Sequence, residues 1–318
     1  MNRTAIQWTD FTSNPIKYQH ITGDTVWSCV KVSAGCQNCY AEALAKRFGR
    51  GGPFTVSQMV ITKPVLDEAE LKALLSVKRL PPGSKVFVGD MTDIFGEWVP
   101  DEMIDRLYAT FALRPDVVFQ VLTKRPERRR NFLTAAHEAV WRIVREATGS
   151  GAGIPWPLPN VWEGTSVEDQ DAADVRIPAL LATPAAVRYL SVEPLLGPVD
   201  IMVGFQWARG SLSDHYKPPI DWVIVGGESG AGARPMDIAW ARSLRDQCAA
   251  AGVAFFMKQM GARPYRSGFA LDPVGDSESY TEPLPLRDSH GGDMAEWPAD
   301  LRVREFPVVN HGDTEGRS

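Results

Sequence analysis

The sequence predicts an α/β fold, in the form of a partial or full (β/α) barrel with loop insertions. A short apolar run rich in β-branched residues is followed by a helical stretch, and this pattern repeats six or seven times. Polar or charged residues follow nearly every run, which favours a barrel over a doubly wound sheet, because a barrel gathers all strand ends at one mouth. We expect residues 1–261 to form the barrel with an N-terminal cysteine loop. Residues 262–318 would form a C-terminal extension that is either a lid or partly disordered.

The elements follow from residue patterns and boundary signals. Apolar runs bounded by Gly or Pro predict buried parallel strands, and apolar residues spaced three or four apart predict helices. We assign a short first strand within residues 6–15 and later strands at Lys85–Gly89, Val117–Leu122, Asn160–Gly164, Val187–Val192, Asp221–Val225 and Val253–Met257. We assign helices at Tyr40–Phe48, Asp101–Leu113, Glu127–Glu146 and Asp237–Ala251, and loop insertions at Thr148–Pro159 and Met202–Pro219.

The composition is that of an ordinary soluble globular protein. Of 318 residues, 44% are hydrophobic and 23% are charged. No apolar run approaches the roughly 18 to 20 residues that span a bilayer, and the N-terminus has no apolar signal-peptide region. We therefore expect a cytoplasmic protein with no membrane contact. The net charge of -5 argues against wholesale coating of nucleic acid but allows a local basic channel.

Three of the four cysteines, Cys29, Cys36 and Cys39, lie within eleven positions with the spacing C-x6-C-x2-C. Three clustered thiolates leave one metal position open, whereas a closed structural zinc site needs four ligands. The spacing favours a [4Fe–4S] cluster; zinc completed by a distant His or Asp, and purely structural cysteines, are the alternatives. Cys39 precedes a helix, whose N–H groups and dipole favour the thiolate. Cys248 falls on the apolar stripe of a helix, so we expect a buried small hydrophobe there.

Charged residues at two strand ends are candidates for contact with a substrate. Lys124 and Arg125 would point into the mouth, where they could bind a phosphate or a carboxylate. Arg128–Arg130 follow directly, and we expect them to form a solvated face. Asp90 and Asp93 would either bind hydroxyls or amines of a substrate or cap the next helix.

Two later strands end in residues suited to a ligand. The strand at Asp221–Val225 is followed by Gly226, Gly227, Glu228 and Ser229. The glycines would let a ligand approach the backbone, and Glu228 would accept hydrogen bonds from an ammonium or a hydroxyl; a tight structural turn is the alternative. Glu193, at the end of another strand, would accept hydrogen bonds from a ligand in the same way as Glu228. The alternative is that Glu193 pairs with a Lys or Arg of the barrel. The tryptophans Trp8, Trp27 and Trp162 could stack on a base, with core packing as the default.

Several sequence motifs occur in a characteristic order along the chain: Gln7–Asp10, Asn14–Pro15, Cys29–Glu42, Asp90–Phe95, Gln120–Glu127, Ser191–Asp200 and Val223–Gly230. Together they resemble a phage-associated family, the Gp37/Gp68 or three-Cys-motif family (DUF5131). The resemblance runs from about Ile6 to Gly261, and it departs from the family where Ile16–Trp27 intervene before the first cysteine.

This family resembles radical S-adenosylmethionine (SAM) enzymes, although their common spacing is C-x3-C-x2-C. The resemblance implies a radical SAM-type barrel in which a [4Fe–4S] cluster binds SAM and cleaves it to a 5′-deoxyadenosyl radical. It also implies a flavodoxin- or ferredoxin-like electron donor, and a nucleic acid or nucleotide is our first expectation for the substrate. The implied roles are cluster ligands for Cys29, Cys36 and Cys39; SAM binding for Tyr40, Glu193, Gly226, Gly227, Glu228 and Ser229; and substrate contact for Lys124, Arg125, Asp90 and Lys258.

Two other classes of function stay open. A non-enzymatic nucleic-acid-binding protein, stabilised by zinc or by a cluster, would use the same cysteines without cleaving SAM. A barrel hydrolase that uses Asp or Glu would keep its activity in a Cys36→Ala variant.

Overall fold

The computed structural model of the chain describes residues 1–202, 219–271 and 277–308 as a mixed α/β fold. The strands are β1 Asn2–Arg3, β2 Phe11–Ser13, β3 Ile16–His20, β4 Thr25–Val26, β5 Thr62–Leu66, β6 Lys85–Val88, β7 Val118–Thr123, β8 Val161–Ser166, β9 Val187–Val192, β10 Trp222–Gly226, β11 Met236–Asp237, β12 Ala254–Gln259, β13 Pro264–Leu271 and β14 Ser277–Pro283. The helices are α1 Tyr40–Arg47, α2 Val56–Val60, α3 Glu68–Leu75, α4 Asp101–Ala112, α5 Pro126–Ala135, α6 His137–Thr148, α7 Gln170–Leu181 and α8 Ile238–Ala251.

The main sheet has eight strands in the order β1-β2-β6-β7-β8-β9-β10-β12. β1 is antiparallel to β2, and every other neighbouring pair in this sheet is parallel. Helices lie between most of the successive parallel strands, as parallel pairing requires long crossover connections. The predicted α/β class and the six later strands are confirmed, and the first strand, β2, falls within the segment expected to hold it.

The sheet curves around an aromatic cluster on its inner face. The ring of Trp8, just before β2, lies 6.2 Å from the ring of Trp222 on β10. In a flat sheet, strands five places apart would be separated by about 24 Å, at roughly 4.8 Å per strand. Trp8 and Trp162 are both buried in this cluster, which confirms core packing for these two residues. Among the described residues, strand pairing in this sheet ends at β1 and at β12 without joining them, so a closed barrel is not seen.

Helices cover the outer face of the sheet, and one of them differs from the sequence prediction. The predicted single helix Glu127–Glu146 is two helices, α5 and α6, which meet at the buried residue Ala136. The prediction was wrong because neither Gly nor Pro marks the break. Helix α5 packs against α7, whereas α6 packs against α4. The helix axis therefore has to change direction between the two halves. The predicted α8 is confirmed: Asp237 caps it by accepting from Ala239 N at 2.9 Å, and Cys248 is fully buried.

A small antiparallel sheet accounts for the extra segment before the first cysteine. Strand β3 pairs with both β4 and β5, so Ile16–Trp27 forms most of a separate three-stranded sheet beside the main one. Tyr18 in β3 is buried, and its hydroxyl hydrogen-bonds with Thr92 at 3.0 Å. The insertion therefore packs against the loop that follows β6.

The remaining segments complete the structure. Residues 149–160 contain neither helix nor strand, which confirms the loop predicted there, whereas most of the predicted insertion Met202–Pro219 lies outside the described residues.

Strands β11, β13 and β14 form a third sheet. Farther along, Trp297 and Leu301 join the core beside β10 and β12, and the division at Gly261 stays a prediction. In the described part of the chain, no helix is long and apolar enough to cross a membrane.

Candidate active site

A cavity of about 370 Å³ opens at the carboxyl ends of the parallel strands. Its volume falls in the range of small-molecule sites, about 300–1,000 Å³. The apolar residues Trp8, Phe87 and Leu122 line part of its wall. Twelve predicted site residues line the same cavity: Cys29, Cys36, Cys39, Tyr40, Asp90, Lys124, Arg125, Glu193, Gly227, Glu228, Ser229 and Lys258.

The three clustered cysteines lie on one side of this cavity, each half-buried. Cys29 and Cys39 pack against the small apolar cluster that includes Phe54 and Met91. Burial raises the pKa of the Cys29 thiol to about 11, and burial also raises the pKa of Cys39. The backbone N–H groups at the start of α1 lower the pKa of Cys39, as expected for a helix N-terminus, but burial outweighs them.

The donor set nevertheless fits an iron–sulfur cluster. Soft thiolates suit such clusters, and metal binding displaces thiol protons. Within residues 1–202, 219–271 and 277–308, no three His, Cys, Asp or Glu side chains are already arranged as a metal site. A cluster would therefore have to draw the three thiols together as it binds.

One anchor of the cysteine loop is Glu168, which follows β8 and is fully buried. Gly35 N–H donates to Glu168 Oε1 at 3.2 Å, and Arg176 donates to Oε2 at 2.9 Å. Burial opposes ionisation of Glu168, but Lys124 and Arg176 outweigh it and hold its pKa below the usual value. A charged carboxylate thus ties the loop to the sheet.

A second anchor joins the same loop to the segment after β10. Arg234 donates to both oxygens of Glu228, at 2.6 and 2.9 Å, and to the Ala34 carbonyl at 2.9 Å. Asn38 Nδ2 also donates to Glu228 at 2.9 Å. Burial opposes ionisation of Glu228, but Arg234 and Asn38 outweigh it and keep its pKa low. Glu228 was predicted to bind SAM; its carboxylate already holds the cysteine loop.

Arg125 supports the first cysteine. Its guanidinium pairs with Asp93 at 3.1 Å and with Glu97 at 3.0 Å, and it donates to the Val30 carbonyl at 3.0 Å. It also lies 4.7 Å from the centre of the Trp98 ring. These contacts engage the guanidinium and fix the chain beside Cys29. Substrate contact by Arg125 stays a prediction, but its charge is already compensated.

Lys124 differs from its neighbour. It lines the cavity, and in the part of the chain that the structure describes its ammonium group has no hydrogen-bond or ion-pair partner. Its charge favours the ionised form of Glu168. A cation that lines the cavity without a direct ion pair suits an anionic ligand.

Glu193 and Lys258 form an ion pair at 3.1 Å across the cavity. This is the pairing with a barrel lysine that was the alternative for Glu193. Gly226 lies beneath the pair, and a β-carbon at this position would overlap Glu193 Oε1. At Gly227 a β-carbon would overlap the Met260 carbonyl. Gly227 is therefore required by close packing against backbone, as the alternative of a tight structural turn also predicts, whereas a methyl group at Gly226 would meet mainly the Glu193 side chain.

Asp90 and Asp93 are bound by side chains near the cavity and do not cap the next helix. Asn14 donates to Asp90 at 2.6 Å, and burial raises the pKa of Asp90. The Tyr40 hydroxyl donates to the carbonyl of Asp90 at 2.6 Å. Helix α4 instead begins after Pro100. Capping by either carboxylate is thus excluded.

The predicted solvated face Arg128–Arg130 is wrong at its central residue. Arg129 is fully buried and donates to the Gly164 carbonyl and, at 2.9 Å, to Thr165 Oγ1. It also lies 3.7 Å from the buried carboxylate of Glu163. A cation survives in the core because the backbone and this carboxylate compensate its charge.

Sequence reasoning missed the roles of Glu168, Arg176, Arg234 and Asn38. Glu168 was visible as a polar residue following a strand. No sequence pattern marks the other three: Asn38 bonds with a residue 190 positions onward, and the partners of Arg176 and Arg234, although only eight and six positions away, are set by the packing of the loop.

Comparison with known protein families gives one match, over residues 3–271, to a family described as "protein of unknown function (DUF5131)". The match contains the cysteine loop, the main sheet except for Asn2, and every residue predicted to form the site. No curated protein and no solved structure matches the chain. The function therefore has to be argued from the site.

Proposed function

The chain belongs to the DUF5131 family, and from that premise we propose that it is a radical SAM-type iron–sulfur enzyme on a partial (β/α) barrel. The observation that carries the proposal is the shared cavity. The C-x6-C-x2-C thiols and nine other predicted site residues line one cavity at the strand ends. Active sites of (β/α) barrels lie at that end. The curvature that brings Trp8 to Trp222 supports the partial barrel.

Cys29, Cys36 and Cys39 would hold a [4Fe–4S] cluster with one iron free of protein ligands. When bound, the cluster and SAM together supply reductive cleavage to methionine and a 5′-deoxyadenosyl radical, with electrons from a flavodoxin- or ferredoxin-like donor. The two anchors at Glu168 and Glu228 would hold the loop that carries these cysteines. Loop placement would then be set by buried ion pairs and not by the metal alone.

The other cavity residues would bind and orient. Glu193, with Lys258 beside it, and Ser229 would meet the ammonium and hydroxyl groups of SAM, while Tyr40 would lie along its adenine. Gly226 would support this by letting the Glu193 carboxylate lie against the backbone, and Gly227 by letting the chain pack closely against Met260. The aromatic residues Trp8 and Phe87 would exclude water from the reacting atoms.

Lys124 supports a substrate that carries negative charge. Lys124 lines the cavity, and its ammonium group has no direct ion-pair partner in the described structure. A phosphate would satisfy it, and so a nucleic acid or a nucleotide is the substrate class that we propose.

The test is anaerobic reconstitution with iron and sulfide, followed by measurement of iron content and of 5′-deoxyadenosine released under dithionite. We expect about four irons per chain and SAM cleavage in the wild type. Cys36→Ala should lose both, whereas Cys248→Ala, at a buried cysteine away from the cavity, should keep both. One zinc per chain without SAM cleavage would instead support the non-enzymatic binding protein. A hydrolytic activity that survives Cys36→Ala would support the hydrolase.

A further inference from the structure

The C-terminal end of α1 carries a surface that the proposed chemistry does not use. We define the α1 patch as Lys46, Arg47, Phe48 and Arg50, together with Trp27 beneath Arg50. Lys46, Arg47 and Arg50 are all exposed, and 62% of Phe48 is accessible to solvent. The Arg47 guanidinium lies 5.8 Å from the centre of the Phe48 ring, and that of Arg50 lies 5.9 Å from the Trp27 ring.

The positive charges of the α1 patch are available to bind a ligand. No carboxylate in the described residues lies within ion-pair distance of Lys46, Arg47 or Arg50. Two other exposed arginines differ in this respect: Arg106 pairs with Glu68 at 2.7 Å, and Arg266 pairs with Glu282 at 2.8 Å. On a chain with a net charge of -5, three adjacent free cations are a local reversal of sign. Such a patch attracts a polyanion.

The aromatic part of the patch narrows the choice of polyanion. An exposed phenylalanine ring adds nothing to charge attraction, but it offers a face on which a base can stack. An acidic polypeptide would gain little from that ring. We propose that the α1 patch binds single-stranded nucleic acid, with Lys46, Arg47 and Arg50 on phosphates and Phe48 stacked on a base.

The backbone holds the patch in place. Trp27 N–H donates to the Arg50 carbonyl at 2.8 Å. Gly51, at φ +154°, packs so closely that a β-carbon there would lie 2.6 Å from the Trp27 carbonyl. The chain after α1 is thus fixed against Trp27, and the cations project from an ordered turn.

The position of α1 connects the patch to the cavity. The helix begins at Tyr40, which lines the cavity, and its eight residues span about 12 Å at 1.5 Å per residue. That length matches three to four stacked nucleotides at about 3.4 Å each. A strand bound at the patch would reach the mouth, where Lys124 is free. That this nucleic acid is also the substrate rests on the proposed function. Binding of nucleic acid at the α1 patch itself does not require a cluster.

The experiment measures fluorescence anisotropy of a labelled twelve-nucleotide oligothymidylate with the full chain over a series of salt concentrations. Charge reversal in Arg47→Glu/Arg50→Glu should weaken binding at least tenfold. It should also reduce the slope of log affinity against log salt by roughly 1.4, since each phosphate contact contributes about 0.7. Phe48→Ala should weaken binding and leave the salt slope unchanged. Because these residues are exposed, circular dichroism should show an unchanged fold.

The matched control is Lys78→Glu/Arg79→Glu, which reverses two adjacent exposed cations beside the exposed Val77. It should leave oligonucleotide affinity unchanged. Equal loss in the control, absence of binding by the wild type, or equally tight binding of polyglutamate would overturn the inference. Cys36→Ala separates the two proposals, because it should abolish SAM cleavage and keep oligonucleotide binding. Failure of SAM cleavage in the wild type alone would count against the proposed function and not against the patch.

Discussion

Gly35 of the cysteine loop lies directly against the carboxylate of Glu168. Its N–H donates to Glu168 Oε1 at 3.2 Å, and a β-carbon at this position would lie only 3.0 Å from the carboxylate carbon. Arg176 holds the other side of the same carboxylate at 2.9 Å. The loop between the first two clustered cysteines therefore rests on a fixed, charged carboxylate.

Gly35→Ala should disturb this support. Glu168 is fully buried and held by Arg176, so the carboxylate cannot swing away and the loop has to move by a few tenths of an ångström. We expect iron content after reconstitution to fall at least about twofold, with a loss of unfolding free energy near 1 kcal/mol. Gly151→Ala is the control, because a β-carbon there would meet nothing within 4 Å. Full iron content in Gly35→Ala would show that the contact does not set the loop.

Gly226→Ala tests the Glu193–Lys258 pair in SAM binding. The new methyl group would overlap Glu193 Oε1 and push a side chain that can rotate, so the fold should tolerate it. Displacement of Glu193 would remove one charge-assisted hydrogen bond to SAM. That loss corresponds to about 1.5–3 kcal/mol, or a reduction in SAM affinity of roughly ten- to a hundredfold. Isothermal titration of the reconstituted protein with SAM measures this, with Gly153→Ala as the control. Unchanged affinity would remove Glu193 from the SAM site.

Arg129→Met should destabilise the core. It leaves the buried Glu163 without its cation and the Thr165 hydroxyl without its donor. Breaking a buried ion pair from one side costs about 3–5 kcal/mol. The neighbour Arg130 bonds only with Asn131 among the described contacts, so Arg130→Met should cost less than about 0.5 kcal/mol. Urea denaturation compares the two, and equal small losses would contradict the buried role.

Asp105 makes stability depend on pH. Burial, together with the nearby Asp101 and Glu102, raises the pKa of Asp105 to about 6. Because the native state keeps this proton when the unfolded chain has lost it, the contribution to stability is present below about pH 4 and is lost as pH rises through 6.

Asp105→Asn should remove the loss of stability that the wild type shows as pH rises through 6. We expect the variant to exceed the wild type in unfolding free energy at pH 7.5 by about 1 kcal/mol or less, since the group is partly solvated and screened. At pH 4 the two should be close. Glu146→Gln, at an exposed position on α6, is the control and should show no such pH-dependent difference. A constant offset at both pH values would contradict the assignment.

The sheet and the cavity could be predicted from local patterns, since both depend on them. Val187–Val192 is an apolar run that forms a buried strand with the predicted ends, and Glu193 follows it into the cavity. Parallel strands bring their carboxyl ends together, however the rest of the chain is arranged. The separation of α5 from α6 was not visible, because the break at Ala136 comes from the packing of two helices against different neighbours.

The anchors of the cysteine loop could not be predicted for a related reason. Glu228 was recognised as a polar residue at a strand end, but its partner Arg234 lies in an irregular turn with no distinguishing pattern. The burial of Arg129 likewise depends on Glu163, which reaches it only when α5 packs on the sheet. Residue type indicates what a side chain can bind, whereas tertiary structure decides what it does bind.

The cysteine loop comes early in the chain, and its anchors come late. Gly35 is joined to a residue 133 positions onward, and Asn38 to one 190 positions onward. Contacts of such long range form late, because the intervening chain has to be ordered first. During synthesis the three thiols would therefore emerge long before the residues that position them. Insertion of the proposed cluster should then follow folding of the sheet, and until that point the three thiols of the nascent chain would be open to oxidation.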